Sequence, residues 1–417
     1  MHKLTVNAPT SKKLTNPSYL RRSQQASYVQ ELGISMRSTR AVIHLENLRH
    51  NIRSVQAWAA AHTPGPADAR PKLCIAVKAD AYGHGIVEVA RTAADCGTEY
   101  LAVATVDEAT RVRDADIDLP ILLYSLPDTS EIPEVVSRGI TPLVTDAGYV
   151  DALARESRAQ GVRTACHIKV DTGMGRIGCQ PHETLALAQR IGSYPELHLA
   201  GVSTHYPLAD DRDVSYTRDQ TERFSSLIRD LRAQGIDPGL VHAANSAGVL
   251  RVPEGYFDMI RPGIMIYGYY PARELERPIS LKPVMEFRSK LVFTKKVPAG
   301  TPVSYGHTWK STRETWIGTV PCGYADGYVR MLSNAADVWI GGARYPVVGK
   351  VCMDQFMVDL GPGEPPARYS DVILFGPAPE GSATAPPDAA ELAELCDTIP
   401  YEITCGLSSR VPRTYTG

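Results

Sequence analysis

From residue 41 onward, the apolar residues of this chain fall into two alternating rhythms. Ala41 to Leu45 reads as a short strand, and Leu48, Ile52, Val55 and Ala59 then recur at helical spacing. Eight short apolar or β-branched runs follow: Leu73–Val77, Tyr100–Val106, Ile121–Tyr124, Thr141–Thr145, Ala165–Val170, Leu197–His205, Leu240–Ala244 and Phe257–Tyr267. Helical patterns such as Ile86–Cys96, Ala147–Gln160, His182–Ile191 and Ser215–Gln234 lie between them, with Gly161 and Gly235 placed as helix stops. This succession predicts an α/β fold, a closed parallel (β/α)8 TIM-type barrel, and leaves an open doubly wound sheet as the alternative. The chemically capable residues Lys78, His205 and Ser246 come at or just after strand ends, where barrel enzymes build their sites, and this favours the barrel.

After Tyr267 the pattern changes. Prolines 271, 278, 283, 298 and 302 and many glycines punctuate short strands such as Ser289–Thr294, Thr315–Val320, Val338–Ile340 and Tyr345–Met353, and helical periodicity returns only at Ala389–Leu395. Pro377 to Pro387 is a low-complexity surface loop. The organisation expected is therefore a disordered extension over 1–36, a barrel over 37–272, and a C-terminal, mainly antiparallel β domain over 273–417. The extension is basic at Lys3, Lys12, Lys13, Arg21 and Arg22 but has no apolar signal core, so extension is preferred over targeting signal. Met36 offers an alternative start.

Composition narrows the class. With 417 residues, 43% hydrophobic and 22% charged, the chain suits a two-domain globular protein, and a net charge of −2 gives no attraction to nucleic acid or a membrane surface. No apolar run approaches the roughly 18 residues of a membrane helix. The eight cysteines are scattered without a C-x-x-C pair, which argues against a metal site and for a reducing cytoplasm.

Lys78 lies where a buried strand meets the glycine-bearing turn in Ile75-Ala76-Val77-Lys78-Ala79-Asp80-Ala81-Tyr82-Gly83-His84-Gly85. An apolar wall disfavours the ammonium and lowers the lysine pKa, as a Schiff-base lysine requires; a lysine snorkelling from a strand end is the other reading. In Lys169-Val170-Asp171-Thr172-Gly173-Met174-Gly175-Arg176, glycines allow close backbone approach and the guanidinium offers paired donors to a carboxylate. Arg261, in Arg261-Pro262-Gly263, could equally pair with a barrel carboxylate, and Ser246 could simply cap a helix.

The segment around Lys78 closely resembles the pyridoxal-phosphate lysine segment of bacterial alanine racemases, and several later motifs agree over roughly residues 37–417. The resemblance implies pyridoxal 5′-phosphate as cofactor, bound through Lys78. Its phosphate would meet Tyr82, Ser246, Gly263, Ile264 and Tyr401. Arg261 would face the pyridine nitrogen, and, being always charged, would leave that nitrogen unprotonated and disfavour transamination.

Two bases would serve the two faces of Cα. One is Lys78; the other is Tyr305, in Val303-Ser304-Tyr305-Gly306. A phenol titrates near ~10 in water, so such a base needs positive charge or hydrogen bonds nearby. His205 would stand beside that tyrosine and contact Arg261. Arg176 would bind the substrate carboxylate with the Met353 N–H of Val351-Cys352-Met353-Asp354-Gln355, Asp354 supporting, and Tyr324 would line the entrance. Lys169 matches a lysine that some family members carry as a carbamate.

Tyr305, Tyr324 and Met353 would reach the site of the other subunit of a head-to-tail homodimer. The activity implied is that of an isomerase interconverting L- and D-alanine and supplying D-alanine for peptidoglycan, with alanine as partner molecule and neither nucleic acid nor membrane. A broader-specificity or serine racemase is the main alternative, although Tyr401 narrows the pocket toward a methyl side chain. A cofactor-dependent decarboxylase would be expected to place a carboxylate where Arg261 stands, and a non-catalytic carrier of the cofactor would not need the β domain. The chain departs from the family pattern in its N-terminal extension, in His307 and in Pro207.

Overall fold

The computed structural model describes residues 37–65 and 70–417, so the extension expected over 1–36 lies outside the described residues. A strand β1 (Arg40–His44) and a helix α1 (Leu45–His62) precede eight parallel strands. These are β2 (Lys72–Ala76), β3 (Tyr100–Val103), β4 (Ile121–Leu123), β5 (Ile140–Val144), β6 (Thr164–Lys169), β7 (Leu197–Ser203), β8 (Leu240–His242) and β9 (Met259–Ile260). Each pairs with the next, and β9 returns to β2 through Lys72↔Met259 and Leu73↔Ile260, closing the barrel. The crossovers carry α2 (Ile86–Asp95), α3 (Val106–Arg113), α4 (Ile132–Ser137), α5 (Ala147–Gln160), α6 (Thr184–Gly192), α7 (Ser215–Ala233) and α8 (Ser246–Arg251).

Local chemistry sets the ends of these helices. Thr105 and Glu108 form a reciprocal capping box on α3, Asp146 accepts from Tyr149 N to start α5, and Gly161 ends α5 at φ +68°. Strand alternation then separates two cores. Leu73, Ile75, Leu101, Val103, Ile121 and Leu123 join the large core shared with the helices, whereas Cys74, Ala102, Leu122, Leu143 and Met259 form a separate cluster filling the barrel.

The second sheet has nine strands. Added to β1 are β10 (Met285–Lys290), β11 (Phe293–Val297), β14 (Thr315–Val320), β15 (Asp337–Ile340), β16 (Ala343–Val348), β17 (Phe356–Gly361), β18 (Asp371–Phe375) and β19 (Arg413–Thr416), while β12 (Pro302–Val303) and β13 (Trp309–Lys310) form a separate pair. All pairings are antiparallel except that of β1 with β19. Helices α9 (Ala389–Leu395) and α10 (Pro400–Cys405) precede β19.

Three boundaries differ from the sequence pattern. β1 leaves the barrel region and sits between β10 and β19, because β2 to β9 already close on themselves and leave no edge for it. The apolar run Phe257–Tyr267 is strand only at Met259–Ile260; Pro262 has no N–H for a ladder, and the chain turns into a single 3-10 turn at Ile264–Tyr267. The run Ser289–Thr294 is interrupted between β10 and β11.

Candidate active site

Lys78 follows β2, immediately before an unusual backbone. Ala79, Asp80, Ala81 and Tyr82 all hold left-handed φ values, between 52° and 55°. Each such non-glycine residue costs about 1–2 kcal/mol, so the surroundings must impose the shape. Ala79 N donates to Glu108 Oε1 (2.6 Å), and Asp80 Oδ1 accepts from Ile86 N (3.1 Å) and Arg111 Nη2 (2.8 Å). His84 Nδ1 lies 3.0 Å from Ala81 O and 2.9 Å from Tyr82 O; carbonyls only accept, so the proton sits on Nδ1. Burial lowers the His84 pKa to about 4 and keeps the ring neutral. The turn presents Tyr82 against Tyr267 and Tyr401, at ring separations of 4.7 and 5.8 Å. Burial, then the Arg176 charge, lower the Lys78 pKa, against weaker opposing effects of Glu108 and Cys405.

A cavity of about 670 Å³ opens at the C-terminal ends of the barrel strands. Among the described residues, four basic side chains line it, Lys78, Lys169, Arg176 and Arg261, against one carboxylate, that of Asp210. Lys169 is buried at the end of β6, and desolvation followed by Arg261 and Arg176 pushes its pKa well down. An excess of positive charge in a partly enclosed space is complementary to an anionic group such as a phosphate or carboxylate.

Among the described residues, Arg261 has no carboxylate as a hydrogen-bond partner. Nη1 donates to His242 Nδ1 (2.7 Å), and Nη2 reaches Thr204 O (2.8 Å), Ala243 O (2.9 Å) and His205 Nδ1 (3.1 Å). Its charge is thus solvated by neutral acceptors and not cancelled. Since Nδ1 accepts in both imidazoles, each carries its proton on Nε2. Burial first, then Arg261, hold both histidines well below their usual pKa. His242 Nε2 then donates to His167 Nδ1 at 2.8 Å. The two rings meet across β7 at Gly201, where a Cβ would lie 2.5 Å from the His167 ring. Tyr124 lies with its ring centre 6.0 Å from the Arg261 guanidinium carbon and its hydroxyl 3.8 Å from Cys74 Sγ. Sequence reasoning missed Tyr124, although it closes the Ile121–Tyr124 run at a strand end.

At the opposite wall, Asn245 caps α8 by accepting from Gly248 N (3.0 Å), so Ser246 is not the cap but the first helical residue. Ser246 Oγ accepts from Gly263 N at 2.9 Å. A Cβ on Gly263 would lie 2.5 Å from the Tyr82 hydroxyl, so only glycine leaves this cradle open. Ile264 and Tyr401 complete the wall.

Tyr305, Tyr324, Met353 and Asp354 do not line this cavity. They form a second group in the β domain. Ser304 Oγ donates to Lys350 O (2.7 Å), Tyr324 N to Cys352 O (3.1 Å), and Arg410 Nη2 to Asp354 Oδ1 (2.8 Å). Tyr305 is 73% exposed, Met353 52% and Tyr324 42%, high for large side chains near a candidate site. Among the described residues no cluster of three or more His, Cys, Asp or Glu could hold a metal, and no helix is long and apolar enough to cross a membrane.

The family models for the N-terminal domain and the C-terminal domain of alanine racemase match residues 43–271 and 284–415. A Treponema denticola protein named alanine racemase is 43% identical over 385 residues, 91% of this chain and 98% of its own length. Its counterpart from Treponema pallidum subsp. pallidum is 42% identical over 91% of this chain and 100% of its own length. Among solved structures, alanine racemase from D-cycloserine-producing Streptomyces lavendulae superposes with a TM-score of 0.84 at 34% identity, covering 92% of this chain and 98% of that one. The Bacillus anthracis alanine racemase with bound L-Ala-P has a TM-score of 0.82 at 34% identity, over 92% of this chain and 96% of that one.

Proposed function

The chain belongs to the alanine racemase family and is an isomerase that interconverts L- and D-alanine; we propose that it does so by moving the Cα proton between Lys78 and Tyr305 of the partner subunit. The observation that carries this reading is the division of the candidate residues. One base, the carboxylate-binding arginine and the Arg261–His205 pair share the barrel cavity, while the other base stands exposed outside it. A head-to-tail homodimer would bring the two groups together.

The barrel cavity fits pyridoxal 5′-phosphate, the cofactor of this family. The Ser246–Gly263 cradle with Ile264, Tyr82 and Tyr401 suits its phosphate, and Lys78 Nζ suits its aldehyde carbon. The Arg261 Nε–H, which has no hydrogen-bond partner among the described residues, suits its ring nitrogen. Once bound, the cofactor supplies an electron-withdrawing ring that acidifies the substrate's Cα–H.

The protein's own groups do the rest. Arg176 pairs with the substrate carboxylate, Met353 N–H of the partner subunit assists, and Tyr324 of the partner subunit borders the entrance. Lys78, its pKa lowered by burial, takes or returns the proton at Nζ on one face of Cα. On the other face, neutral His205 turns Nε2–H toward the phenol of Tyr305 of the partner subunit and stabilises its phenolate. Arg261 donates without accepting, so a ring nitrogen held there would stay unprotonated, which would favour return of the proton to Cα over transamination. A carbamate on Lys169 would turn a Lys169–Arg176 repulsion into an attraction. Tyr401 narrows the cavity toward a methyl side chain, which favours alanine over serine.

The D-alanine formed would supply peptidoglycan synthesis, and the eight free cysteines suit a reducing cytoplasm. The test is racemisation by one purified sample of alanine, serine and lysine, followed by chiral chromatography. Preference for alanine is expected; no racemisation of alanine by cofactor-loaded protein would overturn the reading.

A further inference from the structure

The loop Asp171–Gly178, which carries Arg176, runs between two cavities. Met174, Arg176 and Ile177 line the barrel cavity, whereas Asp171, Thr172, Gly173 and Gly175 line a second space of about 940 Å³ against α6 and α7. With open space on both sides, packing holds the loop at Ile177, against the barrel-filling cluster, and hydrogen bonds set the rest. Most of those bonds are internal. The Asp171 carboxylate accepts from Gly173 N (2.9 Å) and Gly175 N (3.0 Å), and Asp171 N donates to Cys179 O (2.9 Å). They fix the loop's shape but not its position against the rest of the site.

Thr172 supplies the missing link. Its Oγ1 lies 2.6 Å from Thr204 Oγ1 and accepts from Gln220 Nε2 at 2.8 Å. The same Nε2 donates to His205 O, also at 2.8 Å, and Thr204 O is an acceptor of Arg261. Gln220 is fully buried in α7, one helical turn before Phe224 and two before Ile228, so it is a polar residue on the helix's buried face. Its orientation is forced: a flipped amide would set Oε1 against the His205 carbonyl. As oriented, Oε1 is buried with no hydrogen-bond partner among the described residues, and the two N–H groups make the amide's bonds.

We propose that Gln220 and Thr172 are positioning residues that tie the Arg176 loop to the His205–Arg261 pair, fixing where the substrate carboxylate sits relative to the proton-transferring groups. This rests on Arg176 being the carboxylate ligand. Neither residue needs to touch the substrate. One hydrogen-bonded network links the group that holds the carboxylate to the groups that govern the Cα proton.

The test compares Thr172→Val, Thr172→Ser and Gln220→Leu in the loaded enzyme. Thr172→Val and Gln220→Leu each remove two buried or part-buried hydrogen bonds, and a roughly three- to tenfold rise in KM for L-alanine is expected in both, with kcat less affected and Thr172→Ser close to the parent. Backbone hydrogen exchange at 173–177, measured without substrate, should speed up in the two disruptive variants and not in Thr172→Ser. In an Arg176→Lys background the KM effect of Thr172→Val should vanish, because coupled sites are not additive. Unchanged KM and exchange in Thr172→Val, or equal damage in Thr172→Ser, would overturn the proposal. If exchange speeds up but Arg176→Lys leaves KM alone, the tether stands and the carboxylate assignment falls. Should Gln220→Leu fail to fold, the Thr172 pair decides alone.

Discussion

Arg261→Lys keeps a positive charge and removes the fork that distributes it. The guanidinium serves four buried acceptors, at 2.7 Å (His242), 2.8 Å (Thr204 O), 2.9 Å (Ala243 O) and 3.1 Å (His205). An ammonium is a point charge with three donors, so one acceptor is necessarily abandoned, and the spread of the four makes two the realistic number. Each buried acceptor left unpaired costs about 1–3 kcal/mol, giving a loss of about 2–6 kcal/mol from a total stability on the order of 5–15. The assay is urea unfolding of the cofactor-free protein by intrinsic fluorescence, at one fixed protein concentration because any self-association would add to stability. The denaturation midpoint should fall with the slope unchanged. A loss below about 1 kcal/mol would refute the claim that these acceptors depend on the guanidinium fork.

Other expectations follow from the same geometry. Arg261→Glu should raise transamination relative to racemisation, and an unchanged partition would remove Arg261 from the ring nitrogen. Borohydride treatment of the loaded enzyme should abolish its visible absorbance and fix the cofactor to Lys78; a label on another lysine would show the wrong residue was chosen. Tyr305→Phe should cut racemisation by roughly 10²–10⁴-fold while Cα exchange of D-alanine outlasts that of L-alanine; equal slowing of both exchanges refutes two bases. Mixing that variant with inactive Lys78→Ala should restore activity through hybrid dimers if sites are shared. For stability, the His84 pKa of about 4 lies below its ordinary 6.5, so its contribution is complete above pH 6.5 and is lost as pH falls toward 4. His84→Gln should flatten the pH dependence of unfolding in that window, and an unaltered slope would count against the buried neutral imidazole.

The strand–helix alternation was legible because each unit buries its own apolar stripe locally. The eight apolar runs from Leu73 to Tyr267 each overlap one of the eight barrel strands. The destination of β1 was not, since five residues reveal a strand but not which distant edge it joins. Lys78, Arg176, Ser246 and Arg261 stand out in sequence because strand ends and glycines flank them. The left-handed stretch after Lys78 left no signal, because three of its four positions are alanine or tyrosine, residues with no liking for that conformation. Gln220 was hidden because its helical spacing from Phe224 and Ile228 marks a buried position but does not record which distant groups its amide meets. Tyr305 and Met353 gave no signal through spacing, because nothing in one chain's rhythm records a surface that would be completed by another copy. Only the family resemblance pointed to them.

The position of β1 bears on how the protein is made. Its two neighbours are Met285–Lys290 and Arg413–Thr416, so the first strand of the described residues is fully paired only when the last has been made. At ~5–20 residues per second that delay is roughly 20–75 s. Until Met285–Lys290 emerges, Ala41 and Ile43, both fully buried in the finished molecule, have no partner strand. The barrel can close earlier, since β2 to β9 are all synthesised before residue 261. Synthesis therefore passes through a stage with a finished barrel trailing an unpaired apolar strand at its amino end, the form of nascent chain most in need of a chaperone. Cutting the gene at residue 272 would make that stage permanent: a barrel without its sheet, bearing a sticky edge.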